Sequence, residues 1–288
     1  MDRYFTHYST EADFIAAKPS LIKPHVSFVE VGNNMHYMEY DYSMGYLTFV
    51  ALESGTFTFT PQNSNVISYS TDNGTTWTEG NSVNVNSGDK VLWKGTMTPA
   101  TYQGIGKFSS TAEFNAQGNA MSLLFGVNFK GQTSLTGKDW AFCSLFYNNA
   151  KIVNAENLSL PATTLEESCY DSMFYGCASL TTAPELPATT LTDGCYNGMF
   201  RGCTSLTTAP ELSATTLVGA CYYSMFNGCT SLNYIKAMFT TTPSATYTYN
   251  WVNGVSATGT FVKNAAAQWN VSGVNGIPNG WTVQTASN

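Results

Sequence analysis

The sequence predicts a mainly β protein with short helices, laid out as four consecutive parts. These are an N-terminal docking segment (1–44), a small β-sandwich (45–118), a solenoid with 26-residue coils (119–240) and a C-terminal cap (241–288). Three observations carry this reading. Leu160-Pro-Ala-Thr-Thr-Leu165 returns as Leu186-Pro-Ala-Thr-Thr-Leu191 and as Leu212-Ser-Ala-Thr-Thr-Leu217, at steps of 186−160 = 26 and 212−186 = 26 residues. Short aromatic and β-branched runs separated by Gly, Asn and Asp fill the region before the repeats. Aromatic residues make up 14% of the chain and charged residues only 11%, a balance that favours packed β-structure over charged helices.

The docking segment comes first. Ser9-Thr-Glu-Ala-Asp-Phe14 reads as a capped helix start, stopped by Pro19. His25 to Val31 alternates like a strand, Gly32-Asn33-Asn34 turns it, and Met35 to Tyr40 returns as the second arm of a hairpin. So small a piece buries too little surface to stand alone and needs a partner. Phe14, Ile15, Phe28, Tyr37 and Tyr40 are the residues expected to meet it.

In the second part, strands are predicted at Tyr46–Val50, Gly55–Thr60, Ile67–Ser70, Trp77–Thr78, Lys90–Lys94 and near Phe108–Phe114. Turn signals at Glu53-Ser-Gly55, Asp72-Asn-Gly74 and Ser87-Gly-Asp89 separate them. The hairpin Ser70-x-Asp72-x-Gly74-x-x-Trp77 resembles the Asp-box of sialidase propeller blades, where the box is a structural turn remote from the sugar. One copy implies a turn and no glycosidase.

The repeat follows. Each copy contains Cys-Tyr-x-x-Met-Phe-x-Gly-Cys-x-Ser-Leu, at Cys169–Leu180, Cys195–Leu206 and Cys221–Leu232. Cys169, Tyr170, Met173, Phe174 and Cys177 fall at i, i+1, i+4, i+5 and i+8, which predicts one face of a short helix ended by Gly176. Leu180, Ala183 and Leu186 then run inward along an extended segment, where Pro184 and Pro187 prevent a return to helix. A fixed period in this range marks units that bury their apolar faces against their neighbours. Ala141 to Phe146 aligns with the block at an offset of 28 residues and reads as a degenerate first coil, with Met121–Phe129 an earlier cap. After Leu232 the pattern fades. Tyr247–Gly254 and Thr258–Val262 look extended, Ala265–Trp269 suggests a helical turn, and Trp251, Trp269 and Trp281 are placed to cover the last coil. The alternative use of those three indoles is a sugar platform.

The Met-Phe-x-Gly-Cys-x-Ser-Leu block with its Leu-Pro step resembles the BspA-like (Treponema-type) leucine-rich repeats of Bacteroidales surface proteins. That resemblance implies a right-handed leucine-rich-repeat solenoid with one sheet, used for adhesion and without catalytic activity. The segment Ala16–Ser27 looks like the leader of virion proteins from Bacteroidales phages, including crAss-like phages. It implies attachment to a capsid or another virion protein through residues 1–44, and assembly as a homo-oligomer of the trimeric kind.

Six of the seven cysteines are repeat positions (Cys169, Cys195, Cys221; Cys177, Cys203, Cys229) and read as buried free thiols in ladders, with Cys143 outside both. No Cys-x-x-Cys or nearby His suggests zinc. His7, His25 and His36 all lie in the first segment, away from any nucleophile candidate, and Gly104-x-Gly106 lacks the rest of a phosphate loop. Glu185 and Glu211, one period apart, are the sole suggestive carboxylate pair, with two exposed edge residues as the simpler reading.

No catalytic, cofactor or metal residue is therefore predicted. A net charge of −7 argues against nucleic acid, no apolar run reaches the ~20 residues of a membrane span, and Met1–His7 carries no Sec-type signal. The expected role is a non-enzymatic phage head fibre or capsid decoration on the virion surface. Its repeats would contact a bacterial surface or a glycan receptor. The alternative is a BspA-like adhesin on the bacterial cell surface, and a glycan-processing enzyme is the third class.

Overall fold

In a computed structural model of the protein, residues 3–7, 26–31, 34–40 and 45–286 are described, the first three stretches by their backbone alone. The protein is mainly β with few, short helices. β1 (Arg3–His7), β2 (Val26–Val31) and β3 (Asn34–Tyr40) form an antiparallel sheet in the order β1-β3-β2. The predicted hairpin corresponds to β2 and β3, whereas β1 falls in residues that sequence reasoning left unassigned. The predicted helix start at Ser9–Phe14 lies outside the described residues.

The next region contains β4 (Leu47–Ala51), β5 (Gly55–Pro61), β6 (Ile67–Ser70), β7 (Thr78–Glu79), β8 (Ser82–Val85) and β9 (Lys90–Gly95), then β10 (Gly106–Ser110) and β11 (Phe114–Asn119). Two features differ from the expectation. The stretch near Phe108–Phe114 is two strands, because the chain turns at Thr111–Glu113 and β10 and β11 join different sheets. β8, whose Ser82-Val-Asn-Val85 carries only two apolar side chains and no aromatic ring, has no counterpart among the predicted strands and forms the edge of a three-stranded sheet β10-β5-β8. The other sheet runs β12-β11-β4-β9-β6-β7, where β12 is Ile152–Asn154, and β13 (Leu158–Ser159) also pairs with β11.

A layer of rings joins the two sheets. Phe49 on β4 meets Phe57 on β5 at 5.4 Å and Phe108 on β10 at 4.7 Å, both edge-to-face, the arrangement ring quadrupoles prefer. β11 pairs in parallel with β12 and β13, so the second sheet continues past residue 118 into the first repeat. One apolar core runs from Leu47 to Trp281 without a break.

The 26-residue copies lie one on the next. Tyr170, Tyr196 and Tyr222 stack at 5.7 and 6.1 Å with rings 10° from parallel, and Phe174, Phe200 and Phe226 stack at 5.4 and 5.9 Å. All six are buried. The leucines Leu180, Leu206 and Leu232 are fully enclosed.

The block Cys169–Cys177 is not the predicted helix. Ser168, Ser172 and Gly176 have left-handed backbones (φ 52°, 53° and 71°), and the same holds at Gly194, Gly198 and Gly202 and at Ala220, Ser224 and Gly228. A left-handed residue at every fourth position breaks an α-helix and makes a chain of linked four-residue turns instead. The hydrogen bonds follow this alternation. Asp171, Met173 and Tyr175 donate their N–H to the carbonyl three residues back, while Tyr170, Ser172 and Phe174 donate to Cys195, Asn197 and Met199 of the next copy. Every second amide thus ties two copies together, which a helix could not do because its amides bond within the helix.

The same ribbon continues beyond Leu232. Tyr247–Gly254 is not extended: a short helix at Ala245–Thr248 leads into left-handed Asn250 and Gly254, in register with Ser224 and Gly228. Tyr222, Ser224 and Phe226 donate to Tyr247, Tyr249 and Trp251, so residues 245–254 are one more copy. Three parallel strands, β14 (Tyr234–Ala237), β15 (Thr260–Lys263) and β16 (Thr282–Thr285), close this end. Ala265–Trp269 contains a single turn and no helix. Among the described residues no helix is long and apolar enough to cross a membrane.

Candidate recognition surface

Inside each four-residue turn two side chains point into the core, and the residue before the left-handed one points out. Outward positions therefore form rows across the copies, one residue per copy. One row reads Asp139, Glu167, Asp193, a second reads Asp171, Asn197, Tyr223, Tyr249, and a third reads Tyr147, Tyr175, Arg201, Asn227. Tyr147 and Tyr175 stack at 4.7 Å, and the Arg201 guanidinium lies 5.4 Å from the Tyr175 ring centre. Lys107 sits 6.0 Å from the Tyr147 centre on that row. These rings spend their faces on one another and on cations, leaving edges and hydroxyls to solvent.

In the neighbouring row Asn197 Nδ2 donates to Asp171 Oδ2 at 2.9 Å and the Ser172 hydroxyl donates to Asp171 Oδ1 at 2.7 Å. Burial still raises the Asp171 carboxyl above the usual range against those two bonds. Tyr223 and Tyr249 stack at 4.8 Å and are 36% and 40% exposed.

A further aromatic pair lies where the two-sheet region meets the first copy. The tight loop Ala100–Gly104, bridged at its base, lifts Tyr102 to its tip with φ 64° and the ring 73% exposed. Tyr102 meets half-buried Trp140 at 4.5 Å and 60°. Gly104 presses against the Trp140 and Cys143 carbonyls so closely that no side chain fits there. The loop is therefore fixed to the ribbon. The pair escaped sequence reasoning, and the one available signal was a tyrosine in a Thr-Tyr-Gln-Gly turn.

All seven cysteines are free and buried. Burial pushes the Cys143 and Cys221 thiols up to about 11 and those of Cys169 and Cys229 up to about 12, far from a reactive thiolate. Cys177, Cys203 and Cys229 donate S–H to the carbonyls of Phe146, Phe174 and Phe200 at 3.1, 3.1 and 3.0 Å, a further tie between copies.

Glu185 and Glu211 are both exposed, and Glu211 pairs with Lys236 at 2.8 Å, so the two carboxylates do not share one environment. Asp72 accepts from the Thr76 hydroxyl and amide and from the Ser70 hydroxyl, which lowers its carboxyl to about 2 and makes the Asp-box hairpin a self-contained turn. The three cap indoles are buried, and each Nε1 donates to a carbonyl: Trp251 to Gly276, Trp269 to Phe239 and Trp281 to Ser256. Their faces are inside the protein, which removes the sugar-platform alternative for them.

Of the predicted docking residues, Phe14 and Ile15 lie outside the described residues. Phe28 and Tyr37 are cross-strand partners on β2 and β3, and Tyr40 is opposite Arg3 of β1. His7 and His36 are partners in the same sheet, and His25 lies outside the described residues. No group of three or more His, Cys, Asp or Glu among the described residues is placed to hold a metal. No protein-family model matches the chain, and no curated protein or solved structure matches it.

Proposed function

We propose that this chain is a non-enzymatic virion structural protein, a head fibre or capsid decoration, anchored by residues 1–44. In this reading residues 45–118 form a β-sandwich, and the stacked copies after it form a leucine-rich-repeat solenoid that displays an adhesive face to bacterial surfaces or glycans. The observation that carries the reading is the cross-copy bonding of alternate amides from Phe142 to Gly228. It makes a stiff ribbon whose outward rows are set by the backbone, as a surface for recognition requires. Groups that could have done chemistry are engaged in structure: the thiols bond carbonyls, Asp72 closes a turn and Glu211 pairs with Lys236.

The resemblance of the Cys-Tyr-x-x-Met-Phe block to BspA-like repeats favours the second reading, an adhesin on a bacterial cell surface. Peptide mass spectrometry on purified virions and on washed outer membranes separates the two. The virion reading expects the chain in the particles. Recovery in outer membranes alone would replace it with the cell-surface reading.

A further inference from the structure

We propose that the corner formed by Tyr102 and Trp140 is the seat of an uncharged sugar ring, an inference that rests on the glycan-adhesion reading above and gives it a site. Tyr102 occupies a left-handed backbone, φ 64°, a conformation that glycine takes freely and a bulky side chain takes at a cost. The other non-glycine residues with this backbone, Trp140 apart, are Asn, Ser or Ala, yet Tyr102 carries a large ring and is 73% exposed, the most exposed large apolar residue among the described residues. Strain held at an exposed aromatic is the kind of local outlier that accompanies function.

Trp140 is also left-handed, φ 62°. The aligned positions of later copies carry Ser168, Gly194 and Ala220. An indole stands here alone, at the one copy that the Tyr102 loop touches.

The chemistry of the corner selects the ligand. The two rings meet at 60° and 4.5 Å, so their outer faces diverge, unlike the mutually covered faces of Tyr147 and Tyr175. An open aromatic face beside polar groups suits the C–H face of a pyranose, whose hydroxyls need hydrogen-bonding neighbours. Thr101, Gln103 and Asp139, the chain neighbours of the two rings, are exposed and supply donors and acceptors. The nearest cation in sequence, Lys138, lies over the Phe125 ring at 5.2 Å, whereas the exposed Asp139 carboxylate adjoins Trp140 and disfavours a sulfate, phosphate or sialate there.

The test uses the full chain on a printed array of neutral oligosaccharides, with sialylated and sulfated ones beside them, followed by Trp fluorescence titration of the strongest neutral binder. Tyr102→Gly removes the ring and relieves the left-handed strain, so it should fold at least as stably as the parent yet bind at least roughly tenfold more weakly. Trp140→Ser, which installs the residue of the next copy, should lose binding to a similar extent, while Tyr223→Ala on the ribbon should bind as the parent does. Neutral glycan binding that survives Tyr102→Gly and Trp140→Ser overturns the site and leaves glycan adhesion standing. Binding confined to charged glycans has the same effect. No binding to any glycan overturns both.

Discussion

Replacing Gly198 by alanine distinguishes the turn ribbon from a helix by the sign of the effect. Gly198 sits in the middle of the block Cys195–Cys203 with φ 57°. In a helix interior, glycine to alanine would stabilise by roughly 1 kcal/mol. In the ribbon the new side chain must adopt a left-handed backbone, at about 1–2 kcal/mol. The site itself accepts a Cβ, since Ser172 and Ser224 occupy the same position in the flanking copies at φ 53° and 50°. The closest atom to the added methyl is the Ser172 hydroxyl at 3.3 Å, a contact that a small side-chain shift relieves.

The expected result is therefore a loss of about 1–2 kcal/mol. Each kcal/mol lowers the melting temperature by about 2–4 °C in a chain of this size class. Calorimetry and urea unfolding of the two proteins measure it, and Gly198→Asn should lie between them because asparagine tolerates the left-handed region better. A melting temperature equal to or above the parent's would show that the block is helical and that the cross-copy amide bonds are wrong.

Four further outcomes are expected from the packing and the turn chemistry. Leu206→Asp places a carboxylate in a fully enclosed site between copies and should abolish cooperative folding of the repeats, since losing the leucine alone costs roughly 2–5 kcal/mol. Arg201→Asp on the exposed row should cost no more than about 1 kcal/mol, the scale of an exposed cation–π contact, by the same denaturation assay. Thiol titration in denaturant without reductant should find all seven cysteines free, and fewer than seven would mean that the ladders are cross-linked. The Asp72 carboxyl has a lowered pKa in the folded protein. Its contribution is present above the ordinary carboxylate value near 3.8 and is lost as pH falls towards about 2. Asp72→Asn should therefore narrow its stability deficit against the parent across that window, and a deficit constant with pH would contradict the turn's electrostatics.

The repeat period and the buried set were legible because Cys, Tyr, Met, Phe and Leu recur at fixed steps and each proves enclosed. The backbone that presents them was not. Spacings of i, i+4 and i+8 fit both a helix and a ribbon of four-residue turns, so Cys169, Met173 and Cys177 line one face either way. The distinguishing signal was the set of small residues every fourth position, Ser168, Ser172, Gly176 and their counterparts, which a helix interior has no reason to hold. Hydrophobic pattern also located most strands of the two-sheet region. It merged β10 with β11 because the turn at Thr111–Glu113 carries no Gly, Pro or Asn. The Tyr102–Trp140 corner was invisible to pattern, since it joins residues 38 apart through backbone conformations that neither type favours.

The claim that residues 1–44 anchor a displayed array is tested most directly by co-sedimentation with phage capsids. The full chain, a chain beginning at Gly45, and residues 1–44 fused to an unrelated domain are compared. The account predicts that the full chain and the fusion sediment with the particles and that the chain from Gly45 stays folded in the supernatant. Equal binding by the chain from Gly45 would contradict it and make the cell-surface reading the better one.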